Sequence, residues 1–158
     1  MFNVPPDKIE VVVHRESILH SAVQYSDSSI IAQLGLPDMH IPIQYALTYP
    51  ERSPSPAKQL DLAEIGKLSF YKPDYDTFTC LLACLDAIRR GGLKPAAANG
   101  ANEQAVELFL KGKIGFLKIG ELVLDAVSNQ PDQAGFTLED VFAADTAARE
   151  RAKSLCET

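Results

Sequence analysis

Long apolar runs and cysteines are both scarce in this sequence of 158 residues. Its uninterrupted apolar stretches are only a few residues long, whereas a helix needs about 20 to cross a bilayer, so we expect no membrane partner. The three cysteines, Cys80, Cys84 and Cys156, form an odd and sparse set. Such a set is typical of reduced thiols, which predicts a cytoplasmic protein.

Two further absences concern the binding of phosphate and of nucleic acid. None of the nine glycines lies in a G-x-G-x-x-G or G-x-x-x-x-G-K-[ST] pattern, so we recognise no self-contained cradle for a cofactor phosphate. Lys and Arg number 15 against 21 Asp and Glu, which gives a net charge of −6. An acidic chain without a basic run is poorly suited to a phosphate backbone, so we expect no nucleic-acid partner.

The first part of the chain has β character. Ile9–Val13 is a β-branched run, and the apolar runs Ile18–Tyr25 and Ile30–Leu34 flank a Ser- and Asp-rich turn at 26–29. Two such runs joined by a short turn predict an antiparallel hairpin. Together with the first run they predict a small three-stranded antiparallel β unit.

Proline then interrupts the chain, with six of its ten prolines between residues 37 and 73. We expect a short helix at Ile41–Tyr49, with Pro42 in its first turn, where a missing N–H is tolerated. Leu60–Leu68 is compatible with one or two helical turns. Residues 50–74 are interpreted as an ordered linker.

The remainder predicts four amphipathic helices. The first has apolar residues at i, i+3, i+4, i+7 and i+10 from Phe78 and ends at Gly91-Gly92. The second and third cover Pro95–Lys111 and Leu117–Val127, and the last begins at Thr137 with a near capping box. Short connections favour an antiparallel four-helix bundle. The expected fold class is therefore α+β: the three-stranded unit, a linker and this bundle.

Candidate chemistry is concentrated in the first 40 residues, which hold His14, His20 and His40. Three histidines could bind zinc, but this spacing matches no compact ligand pattern. A polar, ligand-facing cluster at the end of the hairpin and ordinary hydrogen-bonded histidines both stay open. The His14 and Ser17 pair lacks the G-x-S-x-G context of an acyl-transfer serine, which disfavours a catalytic triad.

Two other features carry alternative interpretations. Cys80 and Cys84 share a helix face and could ligate a metal, but their apolar neighbours favour two small buried hydrophobic side chains. The stretch Leu36–Ile43 places Asp38-Met39-His40 between two prolines. Loops of this kind position functional side chains, and a rigid strand-to-helix corner is the equally open alternative.

Several short segments, in order along the whole chain, match one enzyme family. They are Ile9–Val13, His14-x-x-Ser17-Ile18-Leu19-His20-Ser21, Ala32-Gln33-Leu34-Gly35-x-Pro37-Asp38-Met39, Tyr49-Pro50-Glu51-Arg52, Leu60-Asp61-Leu62, Leu68-Ser69-Phe70, Pro73-Asp74-Tyr75 and Ala101-Asn102-Glu103. In these segments the sequence resembles 1-deoxy-D-xylulose 5-phosphate reductoisomerase.

The resemblance implies an oxidoreductase and isomerase of the non-mevalonate isoprenoid pathway. Enzymes of that family convert 1-deoxy-D-xylulose 5-phosphate to 2-C-methyl-D-erythritol 4-phosphate with NADPH and Mg²⁺ or Mn²⁺, as homodimers. By resemblance, residues 1–37 are the end of the catalytic and dimerisation domain, residues 38–74 the linker, and residues 75–158 the C-terminal four-helix bundle. The NADPH loop and the metal-binding carboxylates of the family lie upstream of the part that matches.

The resemblance also assigns supporting roles at the site. His20 matches a histidine that lines the substrate pocket, and Ser17 matches a serine near the substrate phosphate. Met39 matches a methionine that packs near the nicotinamide, with Pro37 in the same corner. The family often has His-Pro-Gln-Ser where this chain has His14-Arg15-Glu16-Ser17.

These assignments include no metal ligand and no complete catalytic set. We therefore expect the chain alone to be inactive, to bind neither NADPH nor the metal ion, and to need the N-terminal part of the same enzyme as its partner. The alternative is a stand-alone, non-catalytic helical-bundle interaction module. A separate N-terminal chain that complements this one in trans is a third hypothesis.

Overall fold

The computed structural model describes residues 4–156, and residues 1–3, 157 and 158 lie outside the description. The chain divides into two compact units. One is Val11–Lys72, and the other combines the residues up to Glu10 with those from Pro73 onward. Within residues 4–156, no helix combines the length and apolarity needed to cross a membrane.

The hairpin is confirmed in the unit Val11–Lys72. Strands β1 (Leu19–Gln24) and β2 (Ile30–Leu34) pair antiparallel, and Val23 lies opposite Ile31. Ser28 adopts a left-handed conformation with φ of 70°, and the carboxylate of Asp27 accepts hydrogen bonds from the backbone and hydroxyl of Ser29. The Ser- and Asp-rich turn therefore closes the hairpin through its own side chains.

The third predicted strand, Ile9–Val13, is wrong. In the described residues the sheet has two strands, and of this run only Val13 pairs, with Tyr71 through two backbone hydrogen bonds of 2.9 Å. The division between the compact units falls between Glu10 and Val11, inside the predicted strand. A β-branched run favours extended backbone, but a strand also needs a neighbour to pair with, and the run itself does not encode one.

Two helices occupy the proline-rich middle of the chain. Helix α1 covers His40–Thr48, within one residue of the predicted range at each end. Helix α2 is a single turn, Leu62–Ile65, whose N-terminus is capped by the Asp61 carboxylate at 2.8 Å from the Ala63 nitrogen.

The four long helices predicted for the remainder are all present. They are α3 (Thr79–Arg90), α4 (Lys94–Leu110), α5 (Phe116–Asn129) and α6 (Leu138–Ser154). Helix α3 ends at Gly91, which has φ of 67° and whose N–H donates to the Ala87 carbonyl. Helix α6 begins with a complete capping box between Thr137 and Asp140, so the near capping box is confirmed.

Small side chains make up the core where these helices meet. Helix α4 contacts α3, α5 and α6, and α3 also packs on α5. The main cluster of buried residues consists of Ala83, Ala87, Ala97, Ala98, Ala101, Val123, Ala126, Val127 and Ala148. Helices α4 and α6 approach closely at Gly100, where an added Cβ would lie 2.5 Å from the Asp145 carbonyl oxygen.

A buried lysine ties two of these helices together, which sequence reasoning did not anticipate. Lys94, at the start of α4, is 1% exposed. Its ammonium donates to the Val127 carbonyl at 3.2 Å and to the Gln130 carbonyl, and it lies 3.2 Å from the Asp132 carboxylate. Lys94 therefore satisfies carbonyls that the C-terminal end of α5 leaves without helical partners.

The two cysteines of α3 differ from each other. Cys80 is half-buried and packs on the main core cluster, as expected of a small hydrophobic side chain. Cys84 is exposed, so the prediction that it is buried is wrong. The core side of α3 is centred on Ala83 and Ala87, and Cys84 is the residue after Ala83, so the helix turns its side chain by about 100° from that of Ala83.

Candidate functional site

An open cavity of about 660 Å³ lies in the unit Val11–Lys72. It lies between the base of the hairpin, the corner that follows β2 and the first turns of α1. Its lining consists of Ser17, His20, Gln33, Leu36, Pro37, Asp38, Met39, Ile41, Pro42, Tyr45 and Arg52. This mixture of apolar walls and a few polar groups is typical of a small-molecule site.

All four residues singled out from the sequence line this cavity. Ser17 and His20 come from the start of the hairpin, and Pro37 and Met39 come from the corner before α1. The structure thus brings together two pairs that are about 20 residues apart in the chain. Their common position is a finding, whereas their individual roles stay predictions.

His20 is held by a single backbone contact. Its Nε2 lies 3.1 Å from the Gly35 carbonyl oxygen, which can only accept, so Nε2 carries the proton of this bond. In the neutral ring, Nδ1 is then an acceptor. The imidazole can accept a hydrogen bond from a hydroxyl group of a ligand.

The corner before α1 presents both an apolar and an acidic side chain. Met39 is 68% exposed and lies immediately before α1. The Asp38 carboxylate accepts from the His40 backbone N–H at 2.9 Å and from its ring at 2.6 Å. These two bonds, the backbone one first, lower the pKa of the Asp38 carboxyl, so Asp38 is ionised at neutral pH. His40 belongs to this local turn and not to the cavity lining.

A network around His14 supports the Ser17 end of the cavity. The His14 side chain is 5% exposed and stacks on Phe70 with a centroid distance of 4.8 Å. Its Nδ1 lies 2.9 Å from the Ser69 carbonyl, and its Nε2 accepts from the Ile18 N–H at 3.1 Å. Both ring nitrogens are therefore engaged, and His14 has none to offer Ser17 as a catalytic base.

Glu16 extends this network on the same side. Its carboxylate accepts from the Ser69 backbone at 3.1 Å and from the Ser69 hydroxyl, and this hydroxyl is the largest cause that lowers the pKa of Glu16. The second carboxylate oxygen lies 3.0 Å from His14 Nδ1. Ser17 follows with φ of 53°, a left-handed conformation uncommon outside glycine. Ser17, at the end of the His14-Arg15-Glu16-Ser17 segment, lines the same cavity as His20.

Metal binding has no support in this part of the chain. Across residues 4–156, no group of three or more His, Cys, Asp or Glu side chains is arranged to hold a metal ion. The three histidines have separate local partners, namely Ser69 and Ile18, Gly35, and Asp38.

Comparison with known proteins identifies the family. The profile of the DXP reductoisomerase C-terminal domain matches residues 34–151. The chain belongs to the DXP reductoisomerase family. The resemblance drawn from the short segments is confirmed, and the alternative of a stand-alone, non-catalytic helical-bundle interaction module is not favoured.

Curated relatives and solved structures agree with this assignment. The 1-deoxy-D-xylulose 5-phosphate reductoisomerases of Paraburkholderia phytofirmans and Bacillus pumilus are 50% identical over 153 residues and 46% identical over 156 residues. The matches cover 96% and 98% of this chain but 38% and 41% of those relatives. The chain thus spans about two-fifths of their length.

Among solved structures, the Zymomonas mobilis reductoisomerase in complex with NADPH superposes with a TM-score of 0.89 at 43% identity, over 99% of this chain and 42% of that one. A second reductoisomerase, in complex with NADPH, fosmidomycin and magnesium, has a TM-score of 0.81 at 39% identity, over 92% and 38%.

Sequence reasoning missed several residues of the candidate cavity, above all Arg52. The Arg52 guanidinium carbon lies 3.6 Å above the Tyr45 ring centroid, a cation–π arrangement that holds the charge at the cavity wall. The only signal was its place in the Tyr49-Pro50-Glu51-Arg52 segment used for the resemblance. Arg52 is seven residues from Tyr45, but α1 ends at Thr48, so Arg52 lies beyond the helix and helical spacing does not predict the contact.

Proposed function

We propose that this chain forms the C-terminal part of a 1-deoxy-D-xylulose 5-phosphate reductoisomerase. The complete enzyme converts that substrate to 2-C-methyl-D-erythritol 4-phosphate with NADPH in non-mevalonate isoprenoid biosynthesis. Membership of the family supports the reaction. The observation that carries the proposal for this chain is the single cavity that gathers Ser17, His20, Pro37 and Met39.

The cavity residues supply binding and orientation. His20, with Nε2 bonded to the Gly35 carbonyl, would accept a hydrogen bond from a substrate hydroxyl at Nδ1. The Ser17 hydroxyl would donate to the phosphate group. Met39 and Pro37 would offer an apolar surface to the nicotinamide, from which NADPH supplies hydride when bound. None of these residues is proposed as the main acid or base.

The metal ion does not fit the residues of this part of the chain. Residues 4–156 hold no group of three or more His, Cys, Asp or Glu side chains that could coordinate Mg²⁺ or Mn²⁺. We propose that the metal ligands and the groups that hold the NADPH phosphates belong to the N-terminal part of the enzyme. On this proposal the chain alone is inactive.

The remaining assignments follow the family. Residues 1–37 are proposed as the end of the catalytic domain, residues 38–74 as the linker, and residues 75–158 as the C-terminal antiparallel four-helix bundle. The partners would be the N-terminal part of the enzyme and, in the complete protein, a second copy in a homodimer. A cytoplasmic location is in keeping with the free thiols of Cys80, Cys84 and Cys156.

A chimera tests the proposal. This chain would replace the matching 38% of the Paraburkholderia phytofirmans enzyme. We expect the chimera to oxidise NADPH only when 1-deoxy-D-xylulose 5-phosphate and Mg²⁺ are both present. The unfused chain and the relative without its C-terminal part are the inactive controls. A chimera that folds, as judged by a cooperative melt, but shows no substrate-dependent NADPH oxidation would overturn the proposal.

A further inference from the structure

The segment Ser69–Tyr71 packs beside the turn His14–Ser17, which precedes β1. The backbones of Val13 and Tyr71 pair through two hydrogen bonds of 2.9 Å. The Arg15 guanidinium carbon lies 5.2 Å from the Tyr71 ring centroid. The turn is therefore held by residues that lie far from it in the sequence.

Ser69 uses all three of its polar groups in this contact. Its N–H, at 3.1 Å, and its hydroxyl donate to the same carboxylate oxygen of Glu16. Its carbonyl accepts from His14 Nδ1 at 2.9 Å. The second carboxylate oxygen of Glu16 is buried and lies 3.0 Å from this same nitrogen. Glu16 thus provides the acceptor for both donors of Ser69.

The same turn sets the direction of the Ser17 side chain. The Ser17 N–H donates to the His14 carbonyl at 3.3 Å, and the next N–H, of Ile18, donates to His14 Nε2 at 3.1 Å. The φ of 53° at Ser17 is a conformation that a serine keeps only when its surroundings hold it. Ser17 is exposed at the cavity, so the turn, rather than packing of its own side chain, holds this conformation.

We propose that Glu16 is a positioning residue for Ser17. Its carboxylate binds the turn to Ser69, and the turn in this form keeps the Ser17 hydroxyl at the cavity. The inference rests on the proposed function, in which this hydroxyl donates to the phosphate group of the substrate. Glu16 itself does not line the cavity, so it acts through Ser17 and not on the ligand.

The expected effect is on the binding of the substrate. The phosphate group passes unchanged from substrate to product, so a contact with it contributes equally to the ground state and the transition state. Weakening such a contact raises KM and leaves kcat unchanged. A general loss of folded enzyme has the opposite signature, because it lowers the apparent kcat at an unchanged KM.

The experiment measures steady-state kinetics of the chimeric enzyme. Glu16→Ala should raise KM for 1-deoxy-D-xylulose 5-phosphate about 3- to 10-fold and leave kcat and the KM for NADPH within about twofold. Glu16→Gln keeps an acceptor for Ser69 but turns an amide NH₂ towards His14 Nδ1, so KM should rise by less than about threefold. Glu64→Ala, which removes an exposed carboxylate of α2, is the matched control and should change none of the three constants.

A double-mutant cycle tests whether Glu16 acts through Ser17. Ser17→Ala removes the hydroxyl, so adding Glu16→Ala to it should raise KM no further. Two rises in KM that multiply in the double variant would overturn the inference. In an active chimera, an unchanged KM in Glu16→Ala would overturn it as well. If Glu16→Ala does not fold, Ser69→Ala removes the hydroxyl donor, keeps the backbone one and takes its place in the cycle.

Hydrogen exchange of the unfused chain tests the positioning without the reaction. Glu16→Ala should speed the exchange of the Ser17 and Ile18 amides about fivefold or more, whereas Glu64→Ala should not. Unchanged exchange at these two amides would overturn the inference while leaving the proposed function intact. A folded parent chimera without substrate-dependent NADPH oxidation would overturn the proposed function, and with it the substrate named here.

Discussion

At the scale of single residues, Lys94 is the most deeply buried charged side chain in the described chain. A fully buried ammonium is unfavourable unless it is paired and hydrogen-bonded, and Lys94 meets both conditions. Lys94→Met keeps the length of the side chain but leaves the Val127 and Gln130 carbonyls without their donor. We expect the free energy of unfolding to fall by about 2–3 kcal/mol, measured by urea denaturation.

Lys113→Met is the matched control, because Lys113 is exposed. It should change the free energy of unfolding by less than about 0.5 kcal/mol. Equal losses for the two variants would show that Lys94 does not satisfy the end of α5.

At this same scale, the sequence identified some site residues and not others. Ser17, His20, Pro37 and Met39 stood in short segments with a family resemblance, and they meet at one cavity. Tyr45 and Arg52 meet there through the path of the chain after α1. A contact of this kind depends on tertiary structure, and no local spacing encodes it.

At the scale of elements, the start of α6 depends on its capping box. The Thr137 hydroxyl accepts from the Asp140 N–H at 3.2 Å, and Asp140 accepts in return from the Thr137 N–H at 2.8 Å. Thr137→Ala removes the first of these bonds and should lower the free energy of unfolding by about 1 kcal/mol. The control is Ser128→Ala, an exposed position inside α5, which should have little effect. An equal shift of the thermal unfolding midpoint in Thr137→Ala and Ser128→Ala would contradict the role of Thr137 as the helix cap.

An ion pair between Asp125 of α5 and Arg151 of α6 gives these elements a pH dependence. Arg151 donates to both carboxylate oxygens, and this contact is the first cause that lowers the pKa of Asp125. A lowered pKa in the folded state means that the unfolded state binds more protons at acid pH. The stabilisation is therefore present above the unfolded-state pKa of about 3.9 and is lost as pH falls through the lower folded value.

Asp125→Asn should accordingly reduce the free energy of unfolding at pH 7 by less than about 1 kcal/mol, since the pair is partly exposed to solvent. The difference between parent and variant should vanish at low pH, as followed by urea denaturation at several pH values. The control is Glu150→Gln, which removes an exposed carboxylate of α6. If the difference in free energy of unfolding between parent and variant grew as pH falls, the predicted pH dependence would be wrong.

Elements with local signals were predicted well, and the element without a partner was not. Capping residues, glycine stops and apolar periodicity lie within the helices or next to them, so α3 to α6 agree with the prediction to within a few residues. The hairpin carries its own turn. Ile9–Val13 has neither helix-ending residues beside it nor a turn that joins it to a pairing strand. Its β-branched composition alone did not make it a strand.

At the scale of the whole molecule, the hairpin leaves apolar side chains uncovered. Val23 and Ile31 lie opposite each other on the sheet and are 57% and 65% exposed. A two-stranded sheet with such a face favours association. We expect the chain to self-associate with rising concentration and Ile31→Thr to reduce this, as measured by static light scattering.

Leu110→Thr removes a similar exposed side chain at the end of α4 and is the matched control. It should leave the association unchanged. A wild-type chain that stays monomeric at every concentration would contradict the prediction that the exposed apolar face of the sheet drives association.

The most direct measurement compares two histidines in the chimeric enzyme. His20 lines the cavity, whereas His40 is 72% exposed and bonds only to Asp38 in its own turn. We expect His20→Ala to lower kcat/KM by about 5- to 150-fold, the loss of one polar contact worth about 1–3 kcal/mol. His40→Ala should leave kcat/KM within about twofold of the parent. Equal kcat/KM values for the two variants would contradict the assignment of this cavity to the active site.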